Sequence, residues 1–121
     1  MDHFDLPLDL PHAGTVALRI LRHLSRHAEA GEAFERAHAL SELLEPYRTA
    51  GENPAADEAE AVAATAAQLA RELVSHVEMH SLRDDRLGQL VRNVFECLEL
   101  GAEGAEISLR AGEDPASPMR P

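Results

Sequence analysis

Lysine and tryptophan are missing from this chain, cysteine occurs once, and the aromatic set is only Phe4, Phe34, Tyr47 and Phe95. Each shortage excludes something. A single cysteine, Cys97, allows no intramolecular disulfide and no cysteine-built zinc cluster. Its neighbours Phe95, Leu98 and Leu100 mark it as a packed thiol. Few aromatic and β-branched residues leave little material for sheets, whereas abundant Ala and Leu favour helices. Positive charge is scarce too: eleven basic residues, all Arg, face 22 acidic ones, for a net charge of −11. That balance argues against nucleic acid, whose binding relies on positive charge and counterion release. It argues equally against an anionic membrane surface. The acids are scattered or gathered at helix starts, where the helix dipole favours them, rather than arrayed along one face. No apolar run approaches the roughly 20 residues that span a bilayer. Met1 to Pro11 holds three Asp and neither Lys nor Arg, so no secretory signal is expected and the expected location is cytoplasmic.

The 121 residues suit one domain, since a single core organises about 100–150. Periodicity predicts an all-α fold, a four-helix bundle built from two helical hairpins, with an extended arm at 1–10, the bundle at 11–101 and a flexible tail at 102–121. In the arm, Phe4, Leu6, Leu8 and Leu10 recur at every second residue, as in a strap laid across the bundle. The first helix is expected from about Pro11, capped by Asp9, to about Ala30, where Gly31 stops it. The second runs from about Glu32 to Tyr47, its last turn weakened by Pro46. Asn53-Pro54 reads as a cap followed by a first-turn proline, opening a third helix that reaches about His80. Ser81 with Asp84 resembles a capping box for a fourth helix ending before Gly101. Ile107 to Arg110 has room for one short strand, and residues 112–121 have the composition of a disordered tail. A 49-residue shift aligns Arg22, Leu24, His27 and Glu29 with Arg71, Leu73, His76 and Glu78, a faint repeat consistent with two hairpins.

The histidines carry the chemistry on offer. Val62, Ala66, Leu69, Leu73, His76 and His80 follow alternating spacings of four and three, which sets the two histidines on the apolar seam of the third helix. Ala13, Ala17, Ile20, Leu24 and His27 do the same on the first. Helices one and three run parallel in an up-down-up-down bundle, so His27, His76 and His80 are expected at one end, with His23 one turn earlier. Glu72, His76 and His80 form an E-x3-H-x3-H row, and His23 with His27 forms H-x3-H. Imidazoles plus a carboxylate suit a transition metal such as zinc, iron or nickel. The competing reading is structural: histidines that end an apolar stripe, hydrogen-bonded to carboxylates or to helix-end carbonyls.

Four resemblances bear on this. The spacings His38-Glu42, His76-His80 and His80-Asp85 are similar to those of hemerythrin-like iron proteins. His80 would have to serve twice there, and the fourth helix has no histidine, so the diiron site of that family is not implied. Val74-Ser75-His76-Val77-Glu78 resembles the phosphoacceptor segment of histidine kinases, with a residue inserted, and Ala37-His38-Ala39-Leu40 resembles the first half of the phosphotransfer-domain motif. Glu32-Glu35 and Glu42-Glu45 are similar to the E-x2-E pairs that hold magnesium in all-α nucleotide pyrophosphatases, but no E-x2-D follows. None of these assigns a family. The expected function is a non-enzymatic, partner-binding or regulatory bundle that self-associates, because a core poor in large side chains gains apolar burial on dimerisation. The alternative is a metal-binding bundle that uses His23, His27, Glu72, His76 and His80.

Overall fold

The computed structural model describes residues 8–27, 30–79 and 85–100. They form α1 (Leu10–Leu24), α2 (Gly31–Ala50), α3 (Ala56–Met79) and α4 (Asp85–Cys97), with no strand among the described residues. Residues 1–7 of the arm expected at 1–10, His80, the capping box at 81–84 and the tail expected at 102–121 lie outside them, while Leu10, expected in the arm, is the first residue of α1. No helix among the described residues is long and apolar enough to cross a membrane.

Contacts near the helix ends give the directions. Gly14, early in α1, abuts Leu44 and Arg48 late in α2, so these helices are antiparallel. Tyr47 at the end of α2 donates to Glu58 at the start of α3 at 2.6 Å, while Glu32 and His76 meet at the opposite ends of the same helices. The amide of Asp9 donates to the carbonyl of Cys97 at 2.9 Å, which sets α4 antiparallel to α1. Helices α1 and α3 are therefore parallel, as expected. The four sides of the bundle are unequal. Helix α1 packs closely on α2 and α4, and α2 on α3, but α3 touches α4 only lightly.

Leu10, Val16, Ile20, Leu24, Leu40, Leu44, Leu73, Leu87, Val94 and Phe95 are the largest fully buried side chains. On α3 the seam is turned from its expected position. Ala59, Ala66, Ala70, Leu73 and Val77 are buried, whereas Val62 and Leu69 are only half-buried along the α2 side. Asp9 caps α1 as read from the sequence, accepting from the His12 amide at 3.1 Å. The helix ends at Leu24, well short of Ala30. Ser25 Oγ donates to the Arg22 carbonyl at 2.7 Å, and the next two amides bond three residues back, tightening the last turn. Helix α2 continues through the exposed Pro46 to Ala50 and closes on Gly51 at φ +74. Asn53 does not cap α3, whose first backbone bond runs from the Ala59 amide to the Ala55 carbonyl. Its amide instead donates to the Leu8 carbonyl and accepts from the Leu10 amide, both at 2.8 Å. The Leu10 amide stands at a helix start, where no intrahelical carbonyl is available to it, so the asparagine satisfies a group that needs a partner.

Candidate functional site

The end of the bundle where α1 and α3 finish was the first candidate, and its residues are only partly gathered. His23 lies in the last turn of α1, and His27 lies beyond the helix, in the connection to α2. Their rings are 5.5 Å apart and tilted by 45°. His76 sits at the edge of the α3 seam, its side chain 20% exposed, with Nε2 3.4 Å from Glu32 Oε1. Its Nδ1 is buried without a partner. Glu72 is committed elsewhere: it accepts from Arg36 Nε at 2.8 Å and from Gln68 Nε2 at 3.0 Å. Gln68 first, then Arg36, holds its carboxyl below the ordinary carboxylate range. Glu32, 3.6 Å from Arg36, completes the set. Glu32, Arg36, Glu72 and His76 thus form a polar clasp between α2 and α3. A guanidinium occupies the carboxylate that the metal reading requires, and no group of three His, Cys, Asp or Glu suited to a metal forms among the described residues. His80 lies outside those residues.

Cys97 is a packed thiol, as its apolar neighbours imply. Burial, reinforced by the negative charges of Asp9 and Glu96, pushes it up to about 12. Nucleophilic and metal-binding chemistry needs the thiolate, which this environment disfavours.

The second candidate is an open, shallow cleft of about 340 Å³ on the lightly packed side, between α3 and the end of α4. Ala63, Ala64 and Ala67 of α3 form one wall, and Leu8, Leu98 and Leu100 form the other. Glu60, Arg71 and Glu99 complete the lining. The far wall exists because of how α4 stops. Glu99 adopts a left-handed φ of +66, which lets its own amide return to the Glu96 carbonyl and the Leu100 amide to the Phe95 carbonyl. The chain folds back and carries Leu98 and Leu100 toward α3. Leu8 is held there by Asn53 and by the bond from Asp9 to Cys97. The near wall is made of alanines, whose short side chains leave the space unfilled. An apolar trough with charged residues along it is suited to holding an apolar surface. Its lining residues supply carboxylates and a guanidinium but no hydroxyl, thiol or imidazole.

Sequence reasoning missed this cleft because apolar periodicity reports the seam that faces the core. A second stripe was visible in Glu60, Ala64, Ala67, Arg71, Val74 and Glu78, which repeats every four and three residues. Compared with known proteins, the sequence matches no family model and no curated protein, and the fold matches no solved structure.

Proposed function

We propose that this protein is a non-enzymatic, self-associating partner-binding module of the cytoplasm, and that the cleft between α3 and α4 is where a partner is seated. The observation that carries the proposal is the unequal packing of the bundle: three sides are closed, and the fourth leaves Ala63, Ala64 and Ala67 across a trough from Leu8, Leu98 and Leu100. Ala67 and Leu98 are already buried in the single chain, so the apolar surface that covering the trough removes from water belongs to Leu8, Ala63, Ala64 and Leu100. The net charge of −11 supports a protein partner over nucleic acid or an anionic membrane. Fluorescence-detected sedimentation of labelled protein, alone and in cell extract, tests the proposal. Assembly should appear in at least one condition and should be lost with Ala64→Arg, which places a long charged chain across an exposed position of the cleft. Assembly that ignores Ala64→Arg moves the binding surface elsewhere, and no assembly in either condition removes the reading.

A second reading, a transition metal held by His23, His27, His76 and His80, is favoured by one observation: the buried Nδ1 of His76 has no partner. Zinc or nickel would then raise the melting temperature at pH 7.5, since a ligand of the folded state stabilises it. The increase would shrink toward pH 5, because a coordinating imidazole must be neutral. His76→Ala would abolish it. A melting temperature indifferent to both metals rejects this reading.

A further inference from the structure

We infer that the partner seated in the α3–α4 cleft is a second copy of this chain, with the two α3 helices packed antiparallel about a two-fold axis passing between Ala64 and Ala67. The inference rests on the partner-binding reading and adds the occupant and its register.

Glu60, Ala64, Ala67 and Arg71 follow one another at spacings of four, three and four, so they form a single stripe along α3. All four line the cleft. The stripe carries a negative charge at one end, a positive charge at the other and two alanines midway. A second copy, reversed by a two-fold axis, lays Arg71 opposite Glu60 at one end and Glu60 opposite Arg71 at the other. Ala64 of each chain, which is exposed, meets its mate at Ala67, of which only a 5% rim is accessible in the single chain. Such a surface is complementary to itself, which an isologous interface requires. The match is not one that the chain makes internally. Eleven helical rises separate Glu60 from Arg71, about 16 Å along the axis, too far for a direct ion pair. Arg71 has an interaction within its own chain, and the five donors of a guanidinium leave capacity for a second carboxylate.

Size points the same way. Alanines at the contact let helix axes approach toward the near end of the usual 8–10 Å range. Leu8, Leu98 and Leu100 then flank the incoming helix as an apolar wall. A strongly basic partner would be drawn to Glu60 and Glu99 but opposed by Arg71, and an acidic one would meet the reverse. Opposite charges at the ends of one stripe select a partner that bears the same pair in reverse order, and an antiparallel copy supplies it.

Sedimentation velocity of the full chain from about 1 to 300 μM, in roughly 0.1 M salt, provides the baseline; a dimer is expected. Glu60→Arg sets like charges opposite one another at both ends of the interface, and so does Arg71→Glu. Each should raise the dimer dissociation constant roughly tenfold or more, because facing like charges oppose association. Both positions are exposed, and circular dichroism checks that each variant stays helical. The deciding step mixes the two variants. In the mixed pair the introduced arginine faces the introduced glutamate, and native Arg71 faces native Glu60, so a heterodimer should form near wild-type affinity. A dimer that Ala64→Arg disrupts, with no recovery on mixing, overturns the antiparallel register and leaves the cleft as the binding surface. A chain that is monomeric alone but sediments faster in extract overturns the second-copy inference, and self-association with it, while partner binding at the cleft stands. A dimer that appears only after deletion of residues 101–121 overturns it as well and identifies the tail as the occupant.

Discussion

Glu99 occupies a backbone position that glycine usually fills at the end of a helix. Its φ of +66 lies in the left-handed region, which costs an L-residue with a Cβ on the order of 1 kcal/mol. Glu99→Gly should therefore stabilise the fold by about 0.5–1 kcal/mol in denaturant unfolding; a decrease would show that the glutamate side chain makes a contact worth more than the strain. Gly14 is the opposite case, a glycine required by space rather than by conformation. A Cβ there would meet Arg48 Cβ at 3.0 Å, the Leu44 carbonyl oxygen at 3.1 Å and Leu44 Cβ at 3.2 Å. Backbone and Cβ atoms cannot swing aside, so α1 and α2 would have to separate. Gly14→Ala should destabilise by about 1–2 kcal/mol, even though alanine is the better helix former by about 1 kcal/mol. A stabilised variant would show that the two helices separate at little cost. In the core, Leu73→Ala should cost about 2–5 kcal/mol, since a fully buried leucine leaves a cavity.

Among the elements, local signals were legible and distant ones were not. The Asp9 cap was readable because donor and acceptor sit three residues apart. Asn53 looked like another cap, yet its two partners lie 43 and 45 residues away, at Leu10 and Leu8, and no local pattern reports them. The end of α1 was misplaced because apolar spacing continued to His27, while Ser25 and a tightened final turn stopped the helix at Leu24. On α3 the alternating spacing identified Ala66 and Leu73 as core residues but chose the wrong flank. Alanines fit a seam as well as valine or leucine does, so hydrophobicity alone does not rank Ala59 and Ala70 above Val62 and Leu69. His76 consequently lies at an edge and engages Glu32 instead of continuing the core. Asn53→Ala offers a test at this scale. It removes one acceptor and one donor that hold Leu8 and Leu10, and should cost about 1–2 kcal/mol. Faster hydrogen exchange at the Leu10 amide should accompany the loss; unchanged protection there would mean that another group replaces Asn53.

For the whole molecule, charge sets two opposing trends with pH. The chain carries 22 acidic residues against eleven arginines, so at neutral pH it repels itself, and mild acidification relieves the repulsion. Two carboxylates pull the other way. Glu72 is held below the ordinary range by Gln68 and Arg36, and Glu45 by Arg48, which donates to it through Nε at 3.0 Å. A carboxyl whose folded value is depressed contributes stability that is fully present above its unfolded value, 4.5 for both groups, and is lost as pH falls through the folded value. Both groups are exposed enough for solvent to weaken the pairs, so the individual contributions are small. Together the two trends give a maximum. The melting temperature should rise modestly as pH is lowered from 8 toward 5, then fall below about 4.5 as the pairs are protonated. Glu72→Gln cannot ionise, yet it still offers an amide oxygen to Arg36, so it should start from a lower stability at pH 7 and fall less steeply in acid. Melting curves of both proteins between pH 3 and 8 check this. If the variant parallels the wild type throughout, the clasp between α2 and α3 is not linked to the acid transition, and the Glu45–Arg48 pair is left to account for the loss in acid.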